Sequence, residues 1–386
     1  MLKKYSAKTD KLALLLIIIL LAVSVTGCFK KSENSSQQDI NQTETEDQSN
    51  QQGENTIRTI RDMAGREVEV PHEINGVYSA IPIGTVLIYT INPNKLIAKN
   101  FKTSPMEEKY MTEEFVNLPV LGNYIVGDTA SEEQILQTKP DVIVYTGEIN
   151  DKWKQEVDKL QERLGIPFVM VSGQLQEVHE AYEFLGELLN EKHRVQELGE
   201  YCKQVLDEVE EIASKIPQDK RTKIYYAIGE EGLMSYPAGK TMHSELINMI
   251  NGINVVNVGD ENPYMRVEVS MEQILNWNPD VIITNKAGAR GGSGIDLRAK
   301  LLKDSKWSDI NAVKNKKIYE IPSVPFSWFG EPPSVARIMG LKWVGSIMYP
   351  QYFEFDLKNE AKEFYEKFYN IKLTEDNLDE ILNNSI

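Results

Sequence analysis

The feature that most limits what this chain can fold into is an internal repeat. Ser131-Glu-Glu-Gln-Ile-Leu-Gln-Thr-Lys-Pro-Asp-Val-Ile-Val144 matches Ser270-Met-Glu-Gln-Ile-Leu-Asn-Trp-Asn-Pro-Asp-Val-Ile-Ile283 at a constant offset of 139, with nine of the fourteen positions identical. Each copy has the same physical grammar. A Ser with Gln three residues later is a capping box, a short helix follows, Pro-Asp ends it, and a continuous apolar run reads as a buried parallel strand. A chain that carries one helix-turn-strand unit twice is expected to build two similar lobes.

The surrounding pattern alternates in the same way. In the first half Gly76 to Ala80 and Leu96 to Ala98 read as strands around a helix near Gly84 to Thr90, and Asp151 to Leu164 reads as a helix before a strand at Ile166 to Val171. In the second half Lys223 to Ile228, Val255-Val256 and Lys317 to Ile321 read as strands, with a helix over Thr241 to Ile250. Alternation of this kind predicts an α/β fold of two Rossmann-like lobes, each with a parallel sheet covered on both faces. Between them, Gln174 to Ile216 has heptad-like apolar spacing and no Pro until Pro217. It predicts one long connecting helix of roughly 60 Å at ~1.5 Å per residue, with an interruption expected near Asn190 to Lys192. Two lobes on one stiff connector leave a groove between them. The tail from Pro332 adds amphipathic helices over Val335 to Tyr349 and Leu357 to Tyr369.

The amino-terminal residues predict export. Lys3, Lys4, Lys8 and Lys11 precede an apolar run from Leu12 to Val25, then Val25-Thr26-Gly27-Cys28. Fourteen helical residues rise only about 21 Å, short of the roughly 30 Å hydrocarbon core, so a signal peptide is expected rather than a membrane span. The four residues ending at Cys28 resemble a bacterial lipobox. That resemblance implies cleavage before Cys28, a lipid on its sulfur, and anchoring on the extracytoplasmic face of the cell membrane. From Phe29 to Asn55 the chain is almost wholly polar and is expected to act as a flexible tether.

These boundaries give a signal peptide over 1–27, a tether over 28–56, an N-terminal lobe over 57–173 and the connecting helix over 174–217. A C-terminal lobe over 218–330 and a helical segment over 331–386 complete the chain. The formal net charge of −16 would become −19 without residues 1–27, which hold four Lys and one Asp. So acidic a surface argues against nucleic acid and leaves membrane attachment to the lipid. Cys202 would then be the remaining thiol, expected as a helix packing residue.

With these features together the chain resembles the helical-backbone class of substrate-binding proteins of ABC importers, which collects ferric siderophores, haem and cobalamin. The motifs that carry the likeness, across roughly residues 57 to 350, are Asp62-Met-Ala-Gly-Arg-Glu-Val-Glu-Val-Pro71, the two repeat copies, and Trp307 with Ala312-Val-Lys-Asn-Lys-Lys-Ile-Tyr319. The resemblance implies a monomeric, non-enzymatic receptor with no intrinsic cofactor, bound to the membrane by its lipid and working with a permease dimer and its cytoplasmic ATPase. It also implies that Glu133 and Glu272 dock into Arg pockets of that dimer. A Glu in a first helical turn also simply favours the helix dipole.

Ligand residues are expected on loops at the carboxyl ends of the strands. Tyr124, Tyr236, Tyr264 and Trp328 offer stacking surfaces, and Arg266, Lys286 and Arg290 offer positive charge for an anionic iron chelate. His243 is a candidate metal ligand, since direct metal binding needs imidazole, carboxylate or phenolate groups. The Gly-rich stretch Gly288 to Gly294 lacks a following Lys-Ser or Lys-Thr pair, so it reads as a mobile lip of the groove rather than a phosphate loop. Capture of a ferric siderophore is the leading expectation. Haem, cobalamin, another metal complex, or ligand sensing rather than transport are the alternatives. Nothing in the sequence resembles a nucleophile elbow, a zinc-protease helix or a His-containing triad.

Overall fold

In the computed structural model, Asp141 and Asp280, the acidic residues shared by the two repeat copies, do the same job. Asp141 Oδ2 accepts the backbone N–H groups of Asn75 and Gly76 at 2.7 and 2.8 Å. Asp280 Oδ2 accepts that of Lys223 at 3.1 Å. Each carboxylate pins the start of a neighbouring strand beside the strand that follows it, and the Asp N–H groups reinforce this by donating to Gly76 and Lys223 carbonyls. The structure describes residues 56–386 except 126, 128, 240, 258–264 and 291. The signal peptide and tether expected before residue 56 lie outside the described residues.

The chain opens with an antiparallel hairpin, β1 (Ile57–Arg61) and β2 (Glu67–Pro71). Its turn explains the Asp62 motif. Asp62 Oδ1 accepts the N–H groups of Ala64 and Arg66, Oδ2 accepts from Arg66 Nη1 and from Met170 N–H, and Gly65 takes φ +78°. One carboxylate thus closes the turn and ties the hairpin to the first sheet.

That sheet is β3 (Val77–Ser79), β4 (Val142–Gly147) and β5 (Phe168–Ser172), all parallel, with β4 central and Val142 opposite Val77. Between β3 and β4 run α1 (Pro82–Ile91), the short α2 (Pro105–Glu108) and α3 (Glu113–Val116), and the repeat helix α4 (Glu132–Thr138). The helix α5 (Asp151–Leu164) leads to β5. Leu96 forms only a single bridge to Val77, so the expected strand at 96–98 is not made.

The segment expected as one connecting helix reverses on itself. α6 (Val178–Leu189) ends at Asn190 in the left-handed region, and α7 (Lys192–Ser214) folds back along it. Two glycines permit the close approach. A Cβ on Gly186 would lie 2.1 Å from Val195 Cγ2, and one on Gly199 would lie 2.9 Å from His179 Nδ1. The interruption at 190–192 is therefore a turn, and the connector is α7 alone, about 34 Å long at ~1.5 Å per residue. Its buried stripe runs Val195, Leu198, Cys202, Val205, Val209, with Cys202 fully enclosed among them. A sequence pattern shows which face of a helix is apolar but not whether the partner is another protein layer or the preceding helix.

The second sheet contains β6 (Lys223–Ala227), β8 (Ile253–Asn254), β10 (Val281–Asn285) and β11 (Ile318–Ile321), parallel in the order β11-β10-β6-β8. β7 (Met234–Ser235) and β9 (Val267–Glu268) form a small antiparallel pair. α8 (Glu245–Met249), the repeat helix α9 (Met271–Trp277), α10 (Leu297–Lys303) and α11 (Asn311–Lys314) connect these strands.

The carboxyl-terminal helices α12 (Arg337–Met348), α13 (Leu357–Tyr369) and α14 (Glu375–Leu382) reach both halves. Trp343 Nε1 donates to Ser385 O at 2.7 Å, Glu320 N–H donates to Asn384 O, and Tyr110 of the first half meets Glu380. One core runs through the molecule, with Tyr89 packed against Phe326 and Tyr369.

Candidate ligand-binding site

Three of the residues expected in the groove come together in the second half. Tyr236 and His243 stack with ring centroids 4.1 Å apart and planes 3° from parallel. The Arg266 guanidinium lies 5.8 Å from the Tyr236 ring centroid, with its Nε 3.4 Å from the phenolic oxygen. Glu331, buried and missed in the sequence reading, binds Arg266 through both carboxylate oxygens, one of them 3.2 Å from Nε. The cluster is a flat aromatic pair edged by a neutralised ion pair.

His243 is held in one tautomer. Its Nδ1 donates to Gly330 O at 2.6 Å, which leaves the lone pair on Nε2, and among the described residues nothing is hydrogen-bonded to Nε2. The approach is close enough that a Cβ on Gly330 would lie 2.7 Å from His243 O, so glycine is required there. Burial pushes the imidazole down to about 4; the Gly330 contact opposes this, and Arg337 and Arg266 add to it. A neutral imidazole with an orienting bond on one nitrogen and a free lone pair on the other is the form that ligates metals.

The backbone around His243 is fixed by Arg337, a fully enclosed cation. Its guanidinium pairs with Glu245, two residues beyond His243, and donates to Met242 O, one residue before it, at 3.3 Å. The same group donates to Ser334 O and, across to the first half, to Gly173 O at the end of β5. Met242 itself packs against the first-half cluster containing Ile81, Ile83 and Tyr145. The cluster therefore sits where the two halves meet. The crevice beside it, lined by Ile83, Ser172, Gly173, Ser334 and Arg337, holds only about 10 Å³.

The other expected groove residues are placed differently. Tyr124 is buried between α4 and α5, where its hydroxyl donates to Glu132 at 3.0 Å and accepts from Arg163 at 3.2 Å. It lines a separate cleft of about 530 Å³ with Trp153 and Lys152, to which the second half contributes nothing. Trp328, expected on the groove wall, is fully enclosed against Tyr365, and Gly340 of α12 packs onto its carbonyl. An indole sealed in the core cannot stack on a ligand.

Lys286 donates to the carbonyls of Glu380 and Ile381 and so caps α14. Arg290 stacks 3.8 Å from the Phe101 centroid and pairs with buried Glu107 at 3.2 Å. The Gly-rich lip expected to be mobile is thus anchored through Arg290 to the first half. Tyr264 and Cys28 lie outside the described residues. Glu133 and Glu272 are exposed in the first turns of α4 and α9. The signal for Glu331 and Arg337 was available: with Lys342 they are the three charges in the otherwise uncharged stretch from Ile321 to Met348.

The His243 geometry fixes a pH response. Folding holds the imidazole neutral, whereas the unfolded chain protonates it near pH 6.5, so its effect is absent above that pH. Between pH 6.5 and 4 it destabilises the fold, by at most about 3 kcal/mol. A His243→Gln chain should lose less stability than wild type in denaturant titrations between pH 7 and 4.5; parallel losses would contradict an imidazole held neutral by the fold.

Comparison with known proteins agrees with this architecture. The molybdate-binding protein MolA of Haemophilus influenzae is 26% identical over 357 residues, covering 83% of this chain and 93% of MolA. YvrC of Bacillus subtilis, an uncharacterised ABC transporter substrate-binding lipoprotein, is 23% identical over 87% of this chain and 96% of its own. An ABC transporter solute-binding protein from Sulfurospirillum deleyianum superposes with a TM-score of 0.76 at 29% identity, over 84% of this chain and 98% of that one. Proteins of this group are extracytoplasmic substrate-binding components that serve an ABC permease and ATPase, not enzymes. The family model described as periplasmic binding protein matches residues 86–325, and the chain belongs to that family.

Proposed function

We propose that this substrate-binding subunit of an ABC importer captures a metal chelate of low net charge, an iron chelate first, at the Tyr236–His243–Arg266 cluster. The observation that carries this reading is the Nε2 lone pair of His243, unpaired among the described residues, oriented by Gly330 and uncharged at neutral pH. It suits a metal with an open or exchangeable coordination position, while Tyr236 backs the imidazole as a planar wall. The charge balance narrows the ligand. Arg266 is matched by Glu331, Arg290 by Glu107, and Lys286 is spent on α14. A strongly anionic ferric catecholate would find little uncompensated positive charge, so haem, or a hydroxamate chelate that leaves a coordination position of its iron open, fits better than a catecholate.

An oxyanion such as molybdate is the second reading, favoured by the similarity to MolA. It would require Arg266 to exchange Glu331 for the ligand.

The mature chain should be titrated with ferric hydroxamate and catecholate chelates, haem, cobalamin and molybdate, following tryptophan fluorescence and melting temperature. We expect haem, or a hydroxamate chelate that leaves an iron position open, to bind most tightly and His243→Ala to weaken binding by about tenfold or more. Undiminished affinity in that variant would sink the metal-ligand assignment, and binding of molybdate alone would establish the second reading.

Membrane attachment belongs to the same proposal. A lipid on Cys28 and a polar tether to residue 56 would hold the receptor near its permease and raise the local concentration of loaded protein. Exposed Glu133 and Glu272 would meet cationic sockets on the two halves of the permease. A Cys28→Ala chain should leave the membrane fraction for the soluble one; retention in the membrane would count against the lipid anchor.

A further inference from the structure

The two repeat helices match in what they hide as well as in what they show. In both, the Ser side chain accepts the Gln N–H at 3.2 Å, and a left-handed residue, Lys139 or Asn278, ends the helix. Ile135 and Ile274 are fully buried, and they anchor each helix to its own sheet. The next residue in each copy is a leucine turned outward, Leu136 at 47% exposure and Leu275 at 41%.

Only six large apolar side chains are exposed among the described residues, and two of them occupy this one repeat position. Solvent-facing positions on so acidic a chain would ordinarily be polar, and a helix that only leads into a strand needs its inner isoleucine, not an outer leucine. Leu136 stands three residues after Glu133, and Leu275 three after Glu272, so each pair shares one face of its helix.

We infer that Leu136 and Leu275 form, with Glu133 and Glu272, a duplicated charged-and-apolar docking face for the two halves of the permease, each half offering a cation beside an apolar pocket. The inference rests on the docking role proposed for the two glutamates and adds what holds the complex together. Exposed carboxylates guide the encounter and are screened by salt, whereas an apolar side chain desolvated at the contact sets how long the complex lasts. Duplication at one repeat position matches a partner built from two like halves.

The test uses the full chain, with and without haem as the probe, and its cognate permease–ATPase complex in nanodiscs, with association and dissociation followed at several salt concentrations. Leu136→Asn with Leu275→Asn should speed dissociation by about tenfold and leave the salt dependence, melting temperature and ligand affinity as in wild type. Either single substitution should give a comparable part of that effect. Glu133→Gln with Glu272→Gln should instead slow association and flatten its salt dependence. Normal dissociation of the leucine variant beside slowed association of the glutamate variant would overturn the inference and leave the glutamate docking standing. Wild-type kinetics in both would overturn both. Wild-type binding to empty nanodiscs, or self-association lost in the leucine variant, would assign the leucines to lipid or to a second copy and overturn the inference as well.

Discussion

Arg337 is the contact on which the site depends. A guanidinium with no access to solvent is costly unless every donor finds a partner. Here Glu245, Met242 O, Ser334 O and Gly173 O supply them from both halves of the protein. Removing one member of a buried pair of this kind typically costs about 3–5 kcal/mol. Because Met242 and Glu245 flank His243, the same network that joins the halves also positions the imidazole. Opening the groove must strain or break the bond to Gly173 O, which is the one arm that reaches the first sheet. The contact between the halves and the placement of His243 are therefore coupled through a single side chain.

The duplicated architecture serves this arrangement with unequal halves. Both repeat copies cap a helix, pin a neighbouring strand with Asp141 or Asp280, and deliver a buried strand to the middle of a sheet. The aromatic and ionic cluster, however, belongs to the second half alone, and Tyr124 of the first half is committed to Glu132 and Arg163. The α6–α7 hairpin and the three carboxyl-terminal helices join the halves, with Glu380 held by Lys109 and Tyr110 while its carbonyl accepts from Lys286. So many bridging contacts favour a small opening over a wide hinge motion.

The sequence carried the fold well because the fold rests on local patterns. The capping boxes, the Pro-Asp stops and the apolar runs into β4 and β10 all appear where the repeat places them, and the helix over Asp151–Leu164 ends at Gly165 as its composition demands. The hairpin at Asn190 was visible only as an interruption, because reversal depends on Gly186 and Gly199 meeting His179 and Val195 across the turn. The site was less legible. Residue type brought out Tyr236, His243 and Arg266, but cannot separate a charge facing a ligand from one spent inside the protein. Lys286 and Arg290 are of the second kind, and Trp328 shows the same ambiguity for aromatic side chains. Glu331 and Arg337 went unnoticed although isolated charges in an apolar stretch signal buried pairs.

The most direct test of the account is X-ray absorption at the iron edge of the protein loaded with a ferric chelate that leaves a coordination position open. The geometry of His243 predicts imidazole back-scattering from one nitrogen ligand, lost in His243→Ala. An all-oxygen shell, identical in wild type and variant, would contradict it.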